Sequence, residues 1–348
     1  MSNKILMTGN EALAEGAIRG GCDCYFGYPI TPQNELTAYM SKHMPAHNRV
    51  FVQAESELAA ISMVYGAAAT GKRSMTSSSS PGISLKQEGL SYIAGAELPM
   101  VIANIQRGGP GLGNIAPSQA DYFQTVKGGG HGDYRLIVLA PSSVQEMHDF
   151  AALSFELSDK YRNPVMILSD GRIGQMMEPL TLSDRKPRTV EKDWALTGAK
   201  DREPNTIRSF YMEPGTLEET NKRIQKKLKE IEAEEVRYES FQMEDAEVMF
   251  VAYGTSARLC KGVIRELRGE GIRTGLLRPI SLWPFPSEII RELSDKIKSI
   301  FVVEMNAGQM VEDVRLACRD RVPVHFHGRM GGGVPTTEEI ITQLKQTL

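Results

Sequence analysis

Short apolar runs separated by stretches of helical spacing constrain this chain more than any other feature. Residues 51–53, 100–105, 135–139 and 165–168 read as strands, and the segments between them are long enough for crossover helices. Such alternation predicts a parallel sheet with helices on both faces. Residues 22–28 form another short strand and 33–44 have helical spacing. Tyr28-Pro29-Ile30-Thr31-Pro32 therefore spans the point where a strand hands over to a helix, the edge at which open α/β sheets bind ligands. Each proline fixes φ at about −65°, and Pro32 pushes Thr31 out of the helical region, so the Thr31 hydroxyl is held in place. A plain turn with its threonine as a helix cap is the competing reading.

Two further segments carry chemistry. Gln53-Ala54-Glu55-Ser56-Glu57-Leu58-Ala59-Ala60 opens a helix that is apolar on nearly every face, so that helix is buried. An acid in its first turn is favoured by the helix dipole, and either glutamate serves that purpose. An acid pointing into a dry cleft has a second use, since burial lets it share a proton with a ligand. Position does not choose between Glu55 and Glu57. Arg107 follows a buried strand and precedes Gly108-Gly109-Pro110-Gly111, which allows close approach of a ligand. A guanidinium there can grip a carboxylate through two parallel hydrogen bonds, and a surface salt bridge is the alternative.

The rest of the chain reads as punctuation and a second unit. Ala140-Pro141-Ser142-Ser143-Val144-Gln145-Glu146 holds a helix start, with a serine cap and an acid three residues on. Residues 182–214 turn polar and proline-rich, as in a linker, and 220–239 read as a charged helix lying as a solvated arm across the domains. Its apolar stripe is Ile224, Leu228 and Ile231. Ala246-Glu247-Val248-Met249-Phe250-Val251-Ala252-Tyr253-Gly254 then begins a second α/β unit, a buried strand leading to a helix N-terminus able to bind an anion. Strands at 274–277, 300–303 and 324–326 are expected to complete a smaller parallel sheet.

With 348 residues the chain suits two domains of about 150 residues each. A net charge of −3 implies neither nucleic acid nor an anionic membrane as partner. No stretch approaches the roughly 20 apolar residues of a spanning helix, and no basic-plus-apolar leader opens the sequence, so the cytoplasm is expected. The cysteines Cys22, Cys24, Cys260 and Cys318 lack the spacing of zinc or iron–sulfur sites, so no metal is assigned to this chain. Cys22 and Cys24 are expected on one face of a strand as small apolar fillers. His131, in a glycine-rich loop, reads as loop support rather than a catalytic base, because no acid or nucleophile is spaced to pair with it.

Taken in order, the turn at Thr31, the segment at Glu57 and the loop at Arg107 resemble the pyrimidine-type subunit of the thiamine-diphosphate-dependent 2-oxoacid:ferredoxin oxidoreductases. Thr76-Ser77-Ser78-Ser79-Ser80-Pro81-Gly82, Gly95-Ala96-Glu97-Leu98-Pro99, Pro117-Ser118-Gln119-Ala120-Asp121 and Glu304-Met305-Asn306-Ala307-Gly308-Gln309 extend the resemblance over most of the chain. It implies a doubly wound pyrimidine-type α/β domain over 1–180, a linker and charged helix over 181–243, and a transketolase C-terminal-like α/β domain over 244–348.

The resemblance also implies roles. Glu57 would bond the aminopyrimidine ring nitrogen of the cofactor, with Pro29 and Ile30 beside it. Thr31 and Arg107 would bind the 2-oxoacid, whose oxidative decarboxylation yields acyl-coenzyme A and reduced ferredoxin. Gly-Asp-Gly with a following Asn-Asn is missing, and Ser169-Asp170-Gly171-Arg172 is the nearest segment. The diphosphate, Mg2+ and iron–sulfur clusters are therefore expected on partners, a beta subunit and a ferredoxin-like chain. The glycine-rich loops 108–114 and 128–134 look most like the 2-ketoisovalerate type, with 2-oxoglutarate as the alternative substrate and a non-catalytic scaffold as an alternative of another class.

Overall fold

The computed structural model describes residues 4–183, 186–188 and 190–348. Residues 1–3, and 184, 185 and 189 of the polar linker, lie outside the described residues. The chain runs β1 (Ile5–Thr8), α1 (Gly9–Arg19), β2 (Cys24–Gly27), α2 (Asn34–Ala46), β3 (Val50–Gln53), α3 (Glu57–Ala69), β4 (Ser74–Ser78) and α4 (Ser80–Gly95). It continues with β5 (Met100–Gln106), α5 (Tyr122–Val126), β6 (Ile137–Leu139), α6 (Val144–Tyr161), β7 (Pro164–Asp170), α7 (Gly171–Gln175) and β8 (Met177–Leu180). After the linker come α8 (Thr216–Glu234), β9 (Tyr238–Phe241), β10 (Val248–Val251), α9 (Gly254–Gly269), β11 (Thr274–Pro279) and β12 (Ser281–Trp283). The end is α10 (Ser287–Ser294), β13 (Ser299–Glu304), α11 (Met310–Cys318), β14 (Val324–Gly328) and α12 (Thr337–Lys345).

The larger sheet has seven strands in the order β12-β6-β7-β5-β4-β2-β3, parallel throughout except at β12. Side chains of β5 alternate between its faces. Met100 and Ile102 join the core under α3 and α4, whereas Val101, Ala103 and Ile105 join the core under α1, α2 and α6. The smaller sheet runs β14-β13-β10-β11-β9, parallel but for β9 at its edge.

Four expectations are corrected. Cys22 lies before β2, in the turn after α1, so strand alternation does not apply to it; it packs with α1 while Cys24 packs on the opposite core. The charged helix ends at Glu234, and Tyr238–Phe241 forms an antiparallel strand that makes the smaller sheet mixed. Nor is that helix a solvated arm. Ile224, Leu228 and Ile231 are buried in the main core, and Arg223 and Lys227 pair with Glu97 on the first unit at 2.6 and 3.0 Å. Finally, the N-terminus of α9 is filled from within the chain: Asp170, buried at the end of β7, accepts from Thr255 N–H at 3.2 Å and Thr255 Oγ1 at 2.8 Å. Burial raises the Asp170 carboxyl above its usual range, and these hydrogen bonds oppose the rise.

Gln119 fastens the two units together. Its side chain donates to Tyr253 O at 2.9 Å and accepts from Ser256 Oγ at 2.8 Å and Met305 N–H at 3.0 Å, all from the second unit. Its main chain adds bonds to Met305 O and Asn306 Nδ2. Glu304 also serves the second unit, since its buried carboxylate accepts from the N–H groups of Gln309, Met310 and Val311 and so closes the start of α11. In Gln119→Leu, Met305 N–H and Ser256 Oγ lose their acceptor while buried, at about 1–3 kcal/mol each, whereas Tyr253 O keeps the N–H of Ala257. Urea unfolding is expected to show a loss of about 3 kcal/mol, and an unchanged midpoint would mean that the units are joined by other contacts.

Candidate active site

The first turn of α4 is where the sequence-selected residues converge. Pro81 sits in that turn, where its missing N–H costs no hydrogen bond, and four serines run up to it from β4. Ser80 Oγ accepts from Arg107 N–H at 3.0 Å and donates to Asp121 Oδ2 at 2.6 Å, and Asn104 Nδ2 holds the same carboxylate at 2.9 Å. Arg107 is thereby fixed at the end of β5. Two residues on, Gly82 faces Glu57. A Cβ built on Gly82 stands 2.5 Å from Glu57 Oε1 and closer still to Ser78 Oγ, so only glycine allows this approach.

Burial separates the two glutamates. Glu57, the first residue of α3, is buried, while Glu55 is exposed and Ser56 Oγ caps the helix through Ala59 N–H. No described side chain donates a hydrogen bond to the Glu57 carboxylate or pairs with it. The cap duty assigned to an acid by position is thus done by Ser56.

The proline turn is held from beneath. Asn10 Nδ2 donates to Pro32 O at 2.8 Å, and buried Gln33 accepts from Ser77 Oγ at 2.6 Å within a network completed by Tyr25 and Thr37. Gln33 occupies the cap position of α2, so Thr31 is not a cap; its hydroxyl accepts from Asn34 Nδ2 at 3.2 Å and is half-buried. Pro29 is exposed and Ile30 half-buried on the same turn. Arg107 joins the turn by donating from Nη1 to Thr31 O at 3.0 Å, and Nη2 donates to Leu112 O at 3.1 Å.

Arg107 is 7% exposed, its Nε has no partner, and no carboxylate among the described residues lies within ion-pair distance. A buried guanidinium without a counter-ion is costly, and an anion against it recovers that cost. Ser78 Oγ and Ser79 Oγ are likewise buried and unpartnered. The second unit reaches this place too, because Asn114 Nδ2 donates to Gly331 O at 2.8 Å and so ties the Arg107 loop to the loop after β14. A concave site of about 840 Å3 between Glu146, Arg258 and Arg278 lies elsewhere, and those arginines are paired with Glu146, Glu178 and Glu239.

Sequence reasoning assigned no individual role to Ser80, Gly82, Lys86, Asn104, Asp121 or Gln119. Lys86 stands among Ser84, Gln87 and Glu88 on α4, so no local signal set it apart. Asp170 is spent on α9, and His131 is an exposed loop residue against Ser91 and the edge of Tyr92. No group of three or more His, Cys, Asp or Glu among the described residues is placed to hold a metal ion.

The fold and site define an α/β chain with a transketolase-like fold, in which a buried arginine without a counter-ion among the described residues and a buried acid lie at the strand ends of a parallel sheet. A split-gene transketolase matches with a TM-score of 0.62 over 98% of this chain and 97% of its own at 15% identity, a likeness of fold alone. Residues 15–244 match the family described as pyruvate flavodoxin/ferredoxin oxidoreductase, thiamine diphosphate-binding, and residues 246–340 match pyruvate:ferredoxin oxidoreductase core domain II. The chain belongs to the 2-oxoacid:ferredoxin oxidoreductase family.

Among its relatives, ketoisovalerate oxidoreductase subunit VorB of Methanothermobacter marburgensis is 52% identical over 98% of this chain and 97% of its own. The 2-oxoglutarate synthase subunit KorA of Methanocaldococcus jannaschii is 35% identical over 96% and 97%. A solved 2-oxoglutarate:ferredoxin oxidoreductase from Magnetococcus marinus, with 2-oxoglutarate, coenzyme A and succinyl-CoA bound, has a TM-score of 0.87 at 27% identity. It is matched over 99% of this chain, which spans 65% of that longer one.

Gly82→Ala tests whether the close approach of α4 to Glu57 matters. The added methyl is expected to displace the carboxylate and cost about 1–3 kcal/mol of stability. Thiamine diphosphate binding by the assembled enzyme, measured by calorimetry, should weaken at least tenfold; unchanged affinity with an unchanged fold would separate this turn from the cofactor.

Proposed function

We propose that this chain is the aminopyrimidine-side subunit of a thiamine-diphosphate-dependent 2-ketoisovalerate:ferredoxin oxidoreductase of the cytoplasm. The reaction converts the 2-oxoacid, coenzyme A and two oxidised ferredoxins to acyl-coenzyme A, carbon dioxide, a proton and two reduced ferredoxins. The observation that carries the reading is Arg107, buried beside Thr31 with no carboxylate among the described residues to balance it.

Each residue has a defined task. Arg107 receives the substrate carboxylate, and Nε is its unused donor. Thr31 offers its hydroxyl to the keto oxygen. Glu57 would exchange a proton with the ring nitrogen of the bound cofactor, and Pro29 and Ile30 would support that ring from the turn. Thiamine diphosphate, when bound, supplies the nucleophilic carbon and the electron sink for decarboxylation. Buried oxygen and nitrogen atoms with no partner at Arg107, Ser78 and Ser79, and the bare backbone of Gly82, fit a polar group inserted here. Mg2+ and the diphosphate belong to a beta subunit, and the iron–sulfur clusters to a ferredoxin-like partner.

Substrate choice follows relatedness, 52% identity to a ketoisovalerate subunit against 35% to a 2-oxoglutarate subunit. Turnover with 2-ketoisovalerate, 2-oxoglutarate and pyruvate decides it, and a preference for 2-oxoglutarate overturns the assignment.

Two substitutions separate catalysis from scaffolding. Glu57→Gln in the assembled enzyme should keep fold and subunit association and lower turnover by about two orders of magnitude or more. Arg107→Ala should raise KM for every 2-oxoacid by about tenfold or more, from loss of a charge-assisted bond of about 1.5–3 kcal/mol. Wild-type kinetics in both variants would leave only the scaffold reading.

A further inference from the structure

Lys86 is the one buried ammonium of the site region that the chemistry above leaves unused. It stands one turn beyond Gly82 on α4 and is fully buried. Its Nζ donates to Thr76 Oγ1 at 3.0 Å, and no carboxylate among the described residues is within ion-pair distance. Gly82 and Lys86, four residues apart, share a face of α4, and Gly82 rests on the Glu57 carboxylate. Amine and acid therefore line one dry layer between α3, α4 and β4.

We propose that Lys86 is a positioning residue for Glu57: its positive charge keeps the carboxylate ionised, so that the proton Glu57 exchanges resides on the partner rather than on the acid. This rests on the assignment of Glu57 as the residue that meets the cofactor. A lysine beside a carboxylate favours the charged form of both, and the low dielectric of a buried layer strengthens that effect. The step moves one proton between Glu57 and the ring nitrogen and back, and Lys86 neither gains nor loses one while it acts.

Few other charges face this amine. α3 carries Glu57 and, at its far end, Tyr65; β4 and β5 carry no ionisable side chain; β7 carries Asp170, bonded to Thr255. The loop before α5 brings Asp121 to Ser80, on the other side of the first turn. Burial pulls the Lys86 ammonium down to about 8, and the charge of Glu57 opposes that shift. The unfolded chain binds this proton up to about pH 10.4. Between about pH 8 and 10.4 it therefore holds more protons than the folded chain, so stability rises with pH across that window.

The first test uses the full chain without cofactor. Lysine labelled with 13C at Cε should show one buried resonance titrating near pH 8, absent in Lys86→Met, and moved to lower pH in Glu57→Gln, where the opposing charge is gone. An unmoved midpoint in Glu57→Gln overturns the proposal, and this comparison stands even where Lys86→Met fails to fold. Lys86→Met should also lose the rise in stability between about pH 8 and 10.4.

The second test uses the assembled enzyme. In Lys86→Met the acid limb of the kcat profile should move to higher pH, with KM for the 2-oxoacid unchanged, and Lys86→Arg should restore the limb. A profile that stays in place in Lys86→Met, while Glu57→Gln is inactive, overturns the role of Lys86 and leaves Glu57 standing. Full turnover in Glu57→Gln overturns both.

Discussion

One side-chain amide, that of Gln119, sets the relation between the two halves of the molecule. It is fully buried, and its side chain bonds Tyr253, Ser256 and Met305 of the second unit. A buried amide that satisfies three groups at once fixes orientation, because any rotation leaves polar atoms stranded in a medium that cannot hydrate them. Orientation then reaches the site. The loop that carries Arg107 is bonded through Asn114 to Gly331 of the second unit, and a Cβ on Gly108 would stand 3.1 Å from the Gly331 carbonyl carbon. A residue far from the Arg107 loop therefore helps decide where Arg107 stands.

Arginines in this chain fall into two kinds by their counter-charges. Arg73 is bonded to Asp159 at 2.8 Å and to two carbonyl oxygens, and Arg278 meets Glu146 and Glu239 through three nitrogens. Both are buried and both are finished. Arg107 is as buried as Arg73 and is given only carbonyl oxygens. A protein selected for stability alone has no reason to bury a cation without an anion. Glu57 and Lys86 extend the same pattern, two opposite charges in one layer with no ion-pair partner among the described residues. The unfavourable electrostatics are concentrated at one turn of one helix, where a ligand can relieve them.

Much of this was legible in the sequence. Strands at 51–53, 100–105 and 165–168 were found because buried parallel strands are short continuous apolar runs, and the helix at Ser143 because its cap and its acid are local signals. Thr31 and Arg107 were singled out because a rigid turn and a glycine-rich loop are local as well, and the structure brings the two together. Glu57 could not be told from Glu55 by position, since what separates them is burial beneath α4, a contact made by residues far along the chain. For the same reason the strand at Tyr238 was taken for helix: its preference for sheet comes from β11 and from the ion pairs of Glu239 with Lys261 and Arg278. Asp170 was weighed as part of a phosphate motif, and only the tertiary structure reveals the helix it caps.

β12 belongs by sequence to the second unit and by hydrogen bonding to the first, where Ser281 and Trp283 lie antiparallel to β6. The ribosome makes the first unit before it makes this strand, and domains ordinarily close as they emerge. Here the sheet that begins at Cys24 keeps an open edge until synthesis has passed Trp283. An unpaired edge invites pairing with other chains, so during synthesis β6 depends on something to cover it for the time taken to translate more than a hundred further residues. The thread that closes the sheet also carries the next turn of the smaller unit, and neither half reaches its final surface before the other exists.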